Sequence, residues 1–272
     1  MNDEGIGEEP PVYVKFGRVL AGAKPFVFNG NVNSVFRGQI ALTDGTTAQA
    51  FIKDIEPREF ANELLAATLA TRLGLPVPTP IVARVSATDV PVSRIPFIDD
   101  GDFLVFASAA IPAQPILQVL KTAGPQAAEV IKRIAKWPGL GNLYGFDSWI
   151  ANVDRHRGNL LFGGQDDVWL IDHGHSFTGQ HWTASDLEPA QAYINRLADW
   201  LTPALDGSRR AQVAGGAEAF ARQAEQVDLA RLAAANGVRT MLGEDFNAIM
   251  AFLSERTTHI RKLSTTALGL LI

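Results

Sequence analysis

The chain has 272 residues, of which 47% are hydrophobic and 19% charged, a balance that excludes a largely disordered protein. Its net charge of -5 argues against broad electrostatic binding of nucleic acid or of an anionic membrane, and the absence of cysteine excludes disulfides and thiolate-zinc sites. The acidic start lacks the basic-then-apolar order of a signal peptide and no apolar run approaches ~18 residues, so a cytoplasmic protein without stable membrane insertion is expected.

Residues 1–10 are polar and acidic and read as a flexible terminus. From Val12 to Lys53 short β-branched and aromatic runs alternate with glycine, as strands do. The clearest hairpin joins Val35–Leu42 to Thr47–Lys53 through Asp44-Gly45, which supplies the positive φ of a tight turn. A helix follows from Pro57 to Leu73: proline suits the first turn, Phe60, Leu64 and Ala67 recur at helical spacing, and Gly74 and Pro76 stop it. Residues 76–106 return to strand patterns, and Ala107–Pro115 marks a change of composition. Beyond it helices are expected over 116–137, 186–206, 209–235 and 244–263, with a loop-rich stretch over 144–182. The segregation of strands and helices predicts an α+β chain in two parts, residues 11–107 and 108–272.

The loop-rich stretch holds the chemistry. Asn152-Val-Asp-Arg-His-Arg-Gly-Asn-Leu-Leu161 is followed by the apolar run Val168–Ile171 and then by Asp172-His-Gly-His-Ser-Phe177. Phosphoryl transfer needs a carboxylate to receive or orient the nucleophile's proton and hard oxygen ligands for a magnesium ion on the nucleotide phosphates. Asp154 fits the first role, and Asn159 with Asp172 the second. Asp, Asn and Gly are also ordinary turn formers; two such clusters joined by a hydrophobic strand favour the chemical reading. Gly174 is expected to let the backbone turn sharply after Asp172. His156, His173 and His175 lack a fourth partner at zinc-like spacing.

Asp154-Arg-His-Arg-Gly-Asn159 resembles the D-R-H-x-x-N catalytic loop of phosphatidylinositol 3/4-kinases, and Ile171-Asp-His-Gly-His175 their I-D-F-G-H segment. With Asn62-Glu-Leu-Leu65 and Leu73-Gly-Leu-Pro-Val-Pro78, the chain is similar to bacterial HipA-like kinases of that superfamily, over about residues 30–180. The resemblance implies a two-lobed kinase fold, ATP and magnesium as cofactors, and a serine/threonine hydroxyl of a protein partner as acceptor. Asp154 and His156 would be catalytic and Asn159 and Asp172 metal-binding, although position 156 serves equally as a structural histidine. Lys53 would contact the nucleotide phosphates and pair with Glu63, with Glu59 as competitor. A phosphate-covering loop at Phe28–Phe36, including Asn33 and Ser34, has one glycine where such loops carry several, and position 173 is His where these kinases usually have Phe. No Lys or Arg lies between Asp172 and Ile194, which disfavours a multiply charged lipid headgroup as acceptor. A catalytically weak ATP-binding module acting through a protein partner, or a small-molecule or lipid kinase, are the alternative readings.

Overall fold

The hairpin over residues 34–54 is the strongest local signal, and in the computed structural model, which describes residues 13–27, 34–94, 97–99, 102–164 and 167–270, it is the hub of the N-terminal sheet. Strands β3 (Ser34–Leu42) and β4 (Thr47–Asp54) pair antiparallel. At the turn, Gly45 has φ 83° and Asp44 accepts a hydrogen bond from Thr46 N at 3.0 Å. Five further strands complete this sheet among the described residues: β1 (Lys15–Val19), β2 (Lys24–Pro25), β5 (Pro80–Val85), β6 (Phe97–Asp99) and β7 (Asp102–Ala109). β1 runs parallel to β5 and antiparallel to β3, while β7 bridges β5 and β4. The path β1-β5-β7-β4-β3 therefore closes on itself as a small barrel. Its interior holds Ile40, Ile52 and Val105 among the alanines 50, 83 and 107, small side chains suited to a narrow ring.

Helix α1 (Pro57–Arg72) starts with proline and ends before Gly74, whose φ is 70°. All its residues from Glu59 to Ala70 are buried, polar ones included, so the helix is covered on every side. Its Phe60, Leu64 and Leu65 belong to a large core shared with Leu143, Tyr144, Phe146 and Ile249 of the helical part.

The helical part comprises α2 (Ile116–Ala123), α3 (Ala127–Ala135), α4 (Leu140–Trp149), α5 (Arg196–Leu201), α6 (Gly207–Ala224), α7 (Leu229–Ala235), α8 (Val238–Leu242), α9 (Phe246–Arg256) and α10 (Ile260–Ala267). A three-stranded sheet, β8 (Ala113–Pro115), β9 (Leu160–Gly163) and β10 (Val168–Leu170), flanks it. The long helices expected from periodicity are divided. Gly124-Pro125 separates α2 from α3, and Asp228 starts α7 afresh by accepting from Arg231 N. Of the helix expected over 186–206, only α5 and a short turn after it are helical. The segment before it is held irregular by Arg256, which donates to the carbonyls of Pro189 and Gln191 at 2.7 and 3.0 Å.

The loop expected from residue 144 begins instead with α4. Its glycines are there for close packing: a Cβ on Gly141 would lie 2.7 Å from Gly216 Cα of α6, and one on Gly145 2.8 Å from the Phe220 ring. The chain is thus a mixed α+β protein, and no helix among the described residues is long and apolar enough to cross a membrane.

Candidate active site

The turn over residues 152–159 joins α4 to β9, and its shape is set by its own polar groups. Asn152 Oδ1 accepts from Asp154 N at 2.9 Å, His156 Nδ1 accepts from Gly158 N at 2.9 Å, and Asn159 Nδ2 donates to Asp154 O at 2.8 Å. Ile171 N donates to Asn159 O at 3.2 Å and Val153 N to His175 O at 3.3 Å, which lays the Asp172 segment alongside this turn.

Arg155 locks the two segments together. Its side chain is fully buried, and so is that of its partner Asp147 on α4. Nε and Nη2 donate to Asp147, Nη1 donates to Asn159 O at 3.0 Å and Ile171 O at 2.7 Å, and Nη2 reaches His173 Nδ1 at 3.1 Å. One planar guanidinium thus fixes the backbone of both motifs, a role its fork of donors suits and a lysine does not. Because arginine only donates, His173 accepts at Nδ1 and carries its proton on Nε2. Burial, reinforced by the Arg155 and Lys53 charges, holds the His173 imidazole well below its usual range, so it is neutral. Its ring meets Phe146 edge-on, with centroids 6.0 Å apart, as the more usual phenylalanine would.

Asp172 adopts φ 60°, a left-handed conformation rarely taken by a non-glycine residue. The sharp turn therefore falls on Asp172 itself rather than on Gly174. Gly174 answers a different need: a Cβ there would lie 2.5 Å from Glu59 Cγ. Asp172 Oδ1 accepts from Lys53 Nζ at 2.9 Å, and the same ammonium forms an ion pair with Glu63. Glu63 in turn accepts from His173 N at 3.0 Å. Burial opposes the charge on Lys53, but Asp172 and Glu63 outweigh it and raise its pKa. Burial also opposes ionisation of Asp172, and Lys53 nevertheless holds that carboxyl well below the usual carboxylate range. Glu63, almost completely enclosed, is pushed up to about 7 by burial and by the Asp172 charge, against the pull of Lys53. Lys53, Glu63 and Asp172 thus meet. Glu59 is buried one turn earlier on α1 and also lines the cleft, but the lysine pairs with Glu63.

These groups line a cleft of about 1130 Å³ between the barrel and the helical part. Lys53, Asp154, His156, Asn159 and Asp172 all border it, together with an apolar section that includes Phe106, Leu161 and Leu170. Ser34 opens β3 opposite Asp54 and is exposed, whereas Val35 beside it lines the cleft. Asn33 lies outside the described residues. Asp154 Oδ2 is 3.4 Å from Asn159 Nδ2 and 3.8 Å from His156 Nε2, and Oδ1 pairs with Arg196 of α5. Because Asn159 turns its amide nitrogen to Asp154, its carbonyl oxygen is left for another partner.

Three contributors have roles that the motifs alone do not assign. Arg155 with Asp147 is one. Asn62 is another: from α1 its Nδ2 donates to Gly174 O at 2.8 Å and its Oδ1 accepts from Trp182 Nε1 at 2.9 Å, which ties the helix bearing Glu63 to the segment after Asp172. Arg196 is the third, two residues beyond the arginine- and lysine-free stretch. Asn62 stood in the quoted Asn62–Leu65 stretch, but nothing in the sequence gave its side chain a partner.

The family model for HipA-like kinases matches residues 46–222, a span that contains Lys53, Glu63, Asp154, His156, Asn159 and Asp172 but not Asn33, Ser34 or Val35. No curated protein matches the chain. Among solved structures, the open conformation of CtTel1 is similar at 13% identity over 86% of this chain and 11% of that one, with a TM-score of 0.34. The complete CtTel1 dimer with C2 symmetry is similar at 11% identity over 86% of this chain and 12% of that one, with a TM-score of 0.38. The chain spans about a tenth of those proteins, and likeness this loose carries no assignment. The family match covers well over half of the sequence, and the chain belongs to the HipA-like kinase family.

Proposed function

We propose that this chain is an ATP- and magnesium-dependent kinase of the phosphatidylinositol 3/4-kinase-related type, acting on a serine or threonine hydroxyl of a protein. One observation carries the reading: a lysine on β4 of the barrel touches both a glutamate of α1 and the aspartate that follows β10. In this reading the contact would link a sheet-bearing lobe, residues 11–107, to a helical lobe, residues 108–272, as the two lobes of a kinase are joined around a nucleotide.

The residues present fit a magnesium ion. Among the described residues no cluster of three or more His, Asp or Glu side chains forms a protein-only metal cage. Asp172 and the Asn159 carbonyl would supply the protein ligands, the remaining positions going to phosphate oxygens and water, as this hard cation prefers. When bound, the ion would neutralise charge on the transferring phosphate. Lys53 would hold the nucleotide phosphates. Asp154 would take the hydroxyl proton as the acceptor oxygen bonds to the γ-phosphorus and the β,γ-bridge breaks to leave ADP. His156, with Nδ1 accepting from Gly158 N, would present its Nε2 side to the same carboxylate.

Incubation with γ-labelled ATP and magnesium, scored on the chain itself, on protein acceptors and on phosphoinositide vesicles, tests the proposal. Label on protein supports it, and saturable label on inositol lipid replaces the acceptor class. Nucleotide binding without transfer to any acceptor marks a docking module instead.

A further inference from the structure

Asp154 is held by one cation that no motif contains. Arg196 Nη1 pairs with Asp154 Oδ1, while the other carboxylate oxygen faces Asn159 and His156. Arg196 is the first residue of α5, and its backbone is set by Asn195, whose Oδ1 accepts from Ala198 N at 3.0 Å. One turn on, Trp200 Nε1 donates to Arg155 O at 3.1 Å, so α5 docks onto the very turn that carries Asp154. Leu197 is fully buried between these anchors. The base of Arg196 is therefore fixed relative to Asp154, whereas its side chain is 53% exposed and lines the cleft. A pair this exposed adds little to folding stability. What it does fix is the orientation of the carboxylate: with Oδ1 engaged by Arg196, Oδ2 is the oxygen left toward the cleft side shared by Asn159 and His156.

We propose that Arg196 is a positioning residue for Asp154, selecting the carboxylate oxygen that receives the acceptor hydroxyl's proton. The assignment rests on the kinase reading above. It concerns the transfer step and not nucleotide binding, since Arg196 touches none of Lys53, Glu63 or Asp172.

The test is a double-mutant cycle on the full chain, using whichever acceptor the wild type labels best. Arg196→Ala should lower kcat about tenfold or more, leave KM for ATP within about twofold, and melt within a few degrees of wild type. Arg196→Lys should recover part of the loss, and added methylguanidinium should partly rescue Arg196→Ala. In an Asp154→Asn background, Arg196→Ala should cost nothing further, because the charge it orients is gone. Should Arg196→Ala fold poorly, Arg196→Gln carries the same comparison. An unchanged kcat, a loss confined to KM for the acceptor, or full additivity with Asp154→Asn would each overturn the assignment while leaving the kinase reading intact. A wild type that transfers phosphate to no acceptor overturns both.

Discussion

Lys53 Nζ lies 2.9 Å from Asp172 Oδ1 across 119 residues of chain, and the same ammonium closes on Glu63, whose side chain is 1% exposed. The lysine is thus the counter-ion of an enclosed carboxylate as well as a candidate phosphate ligand. Lys53→Ala leaves that carboxylate buried without its cation, a change that typically costs about 3–5 kcal/mol. The variant should unfold at clearly lower denaturant, and the double variant with Glu63→Gln should recover stability without recovering nucleotide binding. Equal denaturation midpoints for wild type and Lys53→Ala would show that Glu63 does not depend on the lysine.

ATP with magnesium should raise the melting temperature, because a ligand that binds only the folded state stabilises it by mass action. Asp172→Asn removes one charged oxygen ligand and should abolish most of the magnesium-dependent part of that shift. Thermal melts with ATP, with and without magnesium, measure it. A shift as large as that of wild type would remove Asp172 from the metal site.

Arg155→Lys should be among the most damaging conservative changes in the chain. A single ammonium cannot span Asp147, the two carbonyls and His173 that the guanidinium serves, and buried acceptors are left unpaired at about 1–3 kcal/mol each. Equilibrium unfolding should show a loss of several kcal/mol, and a loss below about 1 kcal/mol would contradict the locking role.

His173 gives a pH dependence with a definite sign. Its folded pKa is depressed from the ordinary 6.5, so below pH 6.5 the unfolded chain binds a proton that the folded chain refuses. Stability therefore falls as pH drops below 6.5, with a limiting slope of about 1.4 kcal/mol per pH unit from this group. Glu63, raised from 4.5 to about 7, contributes the opposite slope between those values, its folded form holding the extra proton. Comparing wild type with His173→Gln, which keeps an acceptor for Arg155, cancels the Glu63 part. Identical pH profiles for the two would show that His173 titrates normally in the fold.

Local signals carried the hairpin at Asp44-Gly45, the helix from Pro57 and the two motifs, because turn chemistry, helix stops and motif spacing act over a few residues. The Lys53–Glu63 pairing was expected for a different reason, the kinase resemblance, and the two side chains form an ion pair. What stayed hidden depends on distant partners. Gly145 looks like a loop residue until Phe220 is brought against it, and Gly141 has no assigned role until Gly216 is. The segment over 186–206 looks helical until Arg256, far along the chain, takes its carbonyls. Asp172 likewise carries a left-handed backbone that its sequence neighbours assign to Gly174.

Closure of the barrel has a consequence for synthesis. β7 is the last of the ring strands to be made, yet it fills the gap between β4 and β5. Until Ala109 has left the ribosome, the nascent chain presents two open strand edges, the kind of surface that recruits other chains. Even a finished ring leaves α1 with its buried face waiting for Leu143, Phe146 and Ile249. Fragments ending near residue 109 are therefore expected to aggregate or to be cleared rather than to bind nucleotide alone.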